Sequence, residues 1–179
     1  MRLAIGLPLL LAAFGLAGCG QGRMEDRLVS CPTLALPADL ADLTRYQPDS
    51  PPDLSTLVLD ARVTGVDANC RRGRGDRSVE ATIALRFRID RGPAATGRGV
   101  QLPWFIALLD ASNDSVVNRQ TFVVPAQFAP NTTRATFTSQ LVEISFPIGQ
   151  GRRAQDYRVM VGFQLTEEEL AMNRRRGPR

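Results

Sequence analysis

The chain has 179 residues with 22 basic and 18 acidic side chains, a net charge of +4, and no histidine. Every basic residue is arginine, so the commonest general base, triad member and zinc ligand is missing, and so is the Ser-Lys alternative. A charge balance this small leaves no footprint for nucleic-acid binding, and the length suits one domain with a proper core.

Met1 and Arg2 precede a run from Leu3 to Ala17 that is apolar apart from Gly6, Pro8 and Gly15. At about 15 residues it is shorter than the ~20 that a membrane-spanning helix needs, and it reads as a secretory signal. Leu16-Ala17-Gly18-Cys19 closes the run and resembles the lipobox of bacterial lipoproteins. The resemblance implies cleavage after residue 18, diacylglycerol on the Cys19 thiol, and a further acyl chain on the freed amine. Two or more acyl chains make anchoring stable, since each buried CH₂ contributes ~0.8 kcal/mol. By the lipoprotein sorting rule, Gly20 favours the outer membrane over the inner one. Residues 19–30, polar and glycine-containing, form the expected lipidated flexible tether. Residues 31–179 form the expected single domain on the periplasmic side.

Cys31 and Cys70 remain in an exported chain, and a disulfide between them is expected. In the stretch that follows, Leu40 and Leu43 share one side of a short helix begun near Pro37. An extended segment is the equal alternative. QPDSPPD (residues 47–53) then breaks the chain with turn residues.

Strands follow. Leu57, Leu59, Ala61 and Val63 alternate with Asp60, Arg62 and Thr64. Val79, Ala81, Ile83, Leu85, Phe87 and Ile89 alternate with Glu80, Thr82, Arg86 and Arg88. Period two over this length marks half-buried antiparallel strands. NCRRGRGDRS (69–78) reads as the loop between them. LPWFIALLD (102–110) is apolar on both faces, as a central strand is, and ASNDS turns it into VVNRQTFVVP (116–125). RATFTSQLVEISFPI (134–148) reads as one strand whose parity slips between Phe137 and Leu141 at a β-bulge. DYRVMVGFQL (156–165) alternates again. About six strands with short turns give a mostly β fold, an antiparallel immunoglobulin/fibronectin III-like β-sandwich, with a small barrel as competitor. The end carries a capping box, Thr166 with Glu169, opening a short C-terminal helix that Arg174–Arg176 close at its negative end.

No nucleophile elbow or Walker loop occurs, and Asp67, Asp76 and Asp110 sit at strand ends where turn chemistry accounts for them. The chain is therefore read as non-enzymatic, with no cofactor, no metal and no nucleic-acid partner. One constellation stands out: Arg71, Arg72, Arg74 and Arg77 crowd one hairpin, where clustered guanidiniums suit anionic lipid, lipopolysaccharide or an acidic partner.

Cys31-Pro32, RGPAA (91–95) and VGFQLTEEELAMNR (161–174), together with the lipobox, resemble a small uncharacterised lipoprotein family of alphaproteobacteria. The lipobox resemblance implies a membrane partner through the N-terminal acyl anchor, and a domain held there without catalytic residues is read as an interaction module with a protein partner in the cell envelope. In the last motif, Gly162 is expected to permit close packing and Phe163 to make a core contact.

Overall fold

The alternation over 79–89 becomes the spine of one of two sheets. The computed structural model describes residues 30–179. Cys19, the signal segment and all of the tether but Ser30 lie outside the described residues. In chain order the elements are β1 (Thr33–Ala35), β2 (Asp42–Tyr46), β3 (Leu57–Arg72), β4 (Ser78–Arg91), β5 (Gly99–Asp110), β6 (Val116–Gln127), β7 (Arg134–Thr138), β8 (Val142–Pro147), β9 (Tyr157–Phe163) and α1 (Glu167–Arg176). The fold is mostly β, with two sheets and one short helix at its C-terminal end.

One sheet has the order β1-β9-β5-β6; in the other β2-β3-β4-β7 lie side by side, and β8 also pairs with β4. All pairings are antiparallel except β1 with β9. The inward residues of β4 (Ile83, Leu85, Phe87) meet those of β5 and β9 (Trp104, Ile106, Val161, Phe163) in a single core. Phe87 packs on Phe163 with ring centroids 5.3 Å apart, and Phe146 on Tyr157 at 5.3 Å, each pair bridging the two sheets. At about 1.5–3 kcal/mol per buried large apolar side chain, these faces supply the main gross stabilisation. β5 is apolar on both faces because both are buried: Trp104 and Ile106 face the core, while Phe105, Ala107 and Leu109 form a second, outer cluster beside Met160 and under Leu40.

One open alternative is decided and two expectations need correction. First, for residues 37–46 the extended alternative holds, and no helix carries Leu40 and Leu43 on one side. A 3₁₀ turn (Ala38–Leu40) leads into β2, so Leu43 enters the core while Leu40 lies against the outside of the other sheet. Gly162 makes that approach possible, since a Cβ there would sit 2.7 Å from Leu40 Cβ. Phe163 is fully buried in the core, so both readings of that motif hold.

Second, β3 continues through the segment read as a loop. Its register with β4 shifts between Val63 and Gly65. This bulge reverses the parity, so Val66 and Cys70 take over the core-facing side from Val63. Only residues 73–77 remain as the turn.

Third, residues 134–148 are two strands rather than one bulged strand. β7 pairs with Arg86–Asp90 and β8 with Ser78–Ile83 of the same β4. Between them Ser139 donates its backbone N–H to the Leu85 carbonyl (2.9 Å) and accepts the Leu85 N–H on its hydroxyl (3.0 Å). The ladder is thereby repaired where the chain leaves it.

Candidate functional site

Strand directions gather the sequence-selected residues at one end of the sandwich. β3 ends and β4 begins there, β5 ends and β6 begins, β8 ends and β9 begins, and β1 starts. Cys31 stands just before β1, and the reversed parity of β3 turns Cys70 toward it. The two form a disulfide with 5.8 Å between Cα atoms and 39 residues of sequence separation. The root of the N-terminal segment is therefore bonded covalently to the strand that carries the arginine hairpin.

The hairpin tip is built by a 3₁₀ turn at Arg74–Asp76, with Gly75 at φ +66°. Gly73 donates to the Ser78 carbonyl at 2.9 Å. A Cβ at Gly73 would lie 1.9 Å from Ser78 Oγ, so any larger residue here would have to turn the Ser78 hydroxyl away. The β8–β9 connection runs alongside, with Ile148 N–H donating to the Arg77 carbonyl at 2.9 Å.

The four arginines do not act as one cluster. Arg71 lies on β3, bound to Glu80 at 2.7 Å and also to Glu143. These carboxylates, the Glu143 hydrogen bond foremost, hold its guanidinium more firmly charged than usual. Arg72 pairs with Asp76 at 3.6 Å. Arg74 and Arg77 are exposed, and among the described residues neither has a carboxylate within ion-pairing distance.

Beside the tip, Asp110 ends β5 in a cleft of about 430 Å³ that it lines with Ser112, Arg152 and Gln155. Its carboxylate accepts the Ser112 N–H (3.0 Å) and hydroxyl (2.5 Å), and a further bond from Arg152. The Ser112 bonds first, then Arg152, hold its carboxyl below the ordinary carboxylate range. Arg152 also donates to the Tyr157 hydroxyl at 3.2 Å and lies 5.2 Å from that ring's centroid. Arg158 binds Asp114 at 2.6 Å, and Arg153 pairs with Asp156 at 3.4 Å. Each of these arginines is already matched to an acid.

Another cleft, of about 610 Å³, lies at the far end between the β2–β3 loop and α1. Tyr46, Pro48, Glu168, Met172 and Arg175 line it, and Arg45 crosses it to Glu169 at 2.9 Å.

A buried charge network escaped the sequence reading. Asp42 is only 2% exposed on the outer face of β2. Its carboxylate accepts two bonds from Arg62 (2.7 and 3.0 Å) and one from Arg179 (2.9 Å), with Arg176 3.5 Å away. Arg179 also binds both oxygens of Asp60 at 2.9 Å. Burial pushes the Asp42 carboxyl up, but the Arg62 and Arg179 bonds outweigh it and hold the group below its ordinary value. A general acid needs the opposite displacement. Arg174 and Arg176, read as helix-closing charges, also reach across to Asp39 (3.0 Å) and to the Thr44 hydroxyl (3.0 Å). Only the run of arginines from 174 onward hinted at this, because its acidic partners stand some 130 residues earlier.

Comparison with family models, with curated proteins and with solved structures returns no match to this chain.

Proposed function

We propose that the protein is a membrane-anchored bacterial lipoprotein of the small alphaproteobacterial kind its motifs resemble. It is acylated at Cys19 and faces the periplasm, with the outer membrane favoured. Its domain, of immunoglobulin/fibronectin III character, serves as a non-enzymatic module of envelope assembly and interaction. The observation that carries this reading is the order of residues 2–19: one arginine, a short apolar run, then Leu-Ala-Gly-Cys. The Cys31–Cys70 bond supports it, because such bonds persist in oxidising compartments. The engagement of Asp42 and Asp110 by arginine supports a structural rather than a catalytic use of these acids.

The test is metabolic labelling with palmitate, followed by membrane fractionation. Wild-type protein is expected to carry label and sediment with membranes. Cys19→Ser is expected to lose the label and either leave the membrane or remain as uncleaved precursor. Label retained on Cys19→Ser, or abundant unacylated full-length wild-type protein in the cytosol, would overturn the reading.

A second reading, a binding domain for anionic lipid, lipopolysaccharide or a periplasmic solute, is favoured by one observation. Arg74 and Arg77 are the members of the hairpin cluster left without a carboxylate.

A further inference from the structure

Three features converge on the end of the sandwich that holds the Cys31–Cys70 bond. The first is the pair of uncompensated guanidiniums, Arg74 and Arg77, at the β3–β4 tip; the neighbouring Arg71, Arg72, Arg152, Arg153 and Arg158 are each matched to an acid. The second is apolar exposure. Val116 and Val117, at the start of β6, are 60% and 49% exposed, and they stand at this same end. The third is the chain root itself, since Cys31 is bonded to Cys70 three residues before the turn.

We propose that this end docks on the anionic phospholipid surface of the bilayer that carries the anchor. Arg74 and Arg77 meet headgroup phosphates, and Val116 and Val117 enter the headgroup layer. The proposal rests on acylation at Cys19 and adds to it a fixed orientation of the domain.

Covalent reach favours this end over the other. Twelve Cα–Cα steps separate Cys19 from Cys31, so the connection spans at most about 43 Å. β5 alone, from Gly99 to Asp110, runs about 37 Å along the long axis of the domain. Turning the far end to the membrane would stretch that connection to nearly its whole contour. Docking the Cys31 end needs almost none of it. Basic side chains beside exposed apolar ones suit a headgroup layer better than a purely aqueous surface, because the guanidinium finds phosphate while valine leaves water. The disulfide keeps the root from peeling away from β3, so the anchor and the two arginines act on the same rigid end.

Trp104 is the chain's single tryptophan and lies in mid-β5, six residues or about 20 Å from Asp110 at the docking end. It serves as a built-in fluorescence donor. Full-length acylated protein is placed in vesicles of phosphatidylcholine, or of phosphatidylcholine with phosphatidylglycerol, each containing a dansyl-headgroup lipid as acceptor. Transfer from Trp104 is expected to be higher in the anionic vesicles at low salt, and to fall as salt screens the contact. In R74Q/R77Q the ratio of docked to undocked domain is expected to drop about thirtyfold, from about fivefold per guanidinium at an anionic surface. R98Q/R175Q, which changes two exposed arginines away from this end, is expected to leave the signal unchanged.

Equal transfer in both vesicle types, no effect of R74Q/R77Q, or an equal effect of R98Q/R175Q would overturn the docking proposal. In each of those cases vesicle-bound protein would leave the anchor reading intact. Full binding of Cys19→Ser to the phosphatidylcholine vesicles would instead overturn the anchor.

Discussion

Replacing Asp42 by asparagine removes one charge and almost no volume. Asp42 is 2% exposed and receives Arg62 through two bonds and Arg179 through one, with Arg176 3.5 Å away. Asparagine presents an NH₂ group to at least one of these donors, and leaves three guanidiniums facing each other without the charge that gathered them. Breaking a buried ion pair from one side costs about 3–5 kcal/mol. The side chains of Arg62, Arg176 and Arg179 are a quarter to a third exposed, so they rehydrate in part. That places the expected loss at the low end, about 3 kcal/mol, or about 6–12 °C in Tm for a domain of this size.

The pH dependence gives a second, sharper readout. The folded Asp42 carboxyl lies below its ordinary value, so its stabilisation is present above the unfolded pKa of about 3.9 and is lost as pH falls through the folded pKa. The gap in stability between wild type and Asp42→Asn is therefore expected to be constant from pH 7 to about 5 and to close below about 4. Urea denaturation at stepped pH, followed by far-ultraviolet circular dichroism, measures it. A gap under ~1 kcal/mol at pH 7, the size of a surface pair, would refute the reasoning. So would a gap that persists undiminished at pH 3.

Other perturbations test the fold elsewhere. Cys31→Ser/Cys70→Ser opens a loop of 39-residue separation and is expected to lose about 4 kcal/mol, read as a fall in urea midpoint that reductant reproduces in the wild type; a midpoint insensitive to reductant counts against it. Gly92→Ala would place a Cβ 2.0 Å from the Leu57 carbonyl oxygen, whereas Gly162→Ala meets Leu40 Cβ at 2.7 Å. Overpacking costs about 1–3 kcal/mol, and Gly92→Ala is expected at or above the top of that range because backbone yields less than side chain. Equal melting temperatures for the two variants would contradict this. Ser139→Ala strips the Leu85 N–H of its buried acceptor and is expected to cost about 1–3 kcal/mol, with faster amide exchange at Leu85 as the local sign; unchanged exchange there would show that the amide finds another acceptor.

The parts of the fold legible in the sequence are those where one register runs unbroken. β4 and β9 alternate over nearly their whole length, broken only at Ala84 and Gly162, and are found where the pattern places them. β5 was legible for a different reason: with apolar residues on both faces, both had to be buried. The errors fall where the register breaks. The bulge after Val63 reverses β3, so its second half no longer continues the pattern of its first. Leu40 and Leu43 carry helical spacing only because each leucine belongs to a different layer. The arginine hairpin shows the same limit at the level of charge. Arg71 and Arg74 look equivalent in one dimension, but Glu80 and Glu143, which engage Arg71, come from two other strands.

This distribution of partners bears on how the outer face of β2–β3–β4 is held. Asp42, Asp60, Arg62, Arg88 and Asp90 face one way across three strands, and Arg134 on β7 binds Asp90. The C-terminal residues complete the set, with Arg176 and Arg179 lying over Asp42 and Asp60. A sheet face covered in this way needs no further apolar layer: the planar forks of Arg62 and Arg179 each satisfy both oxygens of one carboxylate, Asp42 and Asp60, while Arg134 and Arg88 share those of Asp90. Lysine offers a single point of charge and fits such a lattice poorly. An all-arginine basic set therefore has a structural use in this protein apart from any ligand. Among the described residues Arg74 and Arg77 stand outside this lattice, as Arg98 and Arg175 do, and what sets the first two apart is their place at the end that holds Val116, Val117 and the Cys31–Cys70 bond.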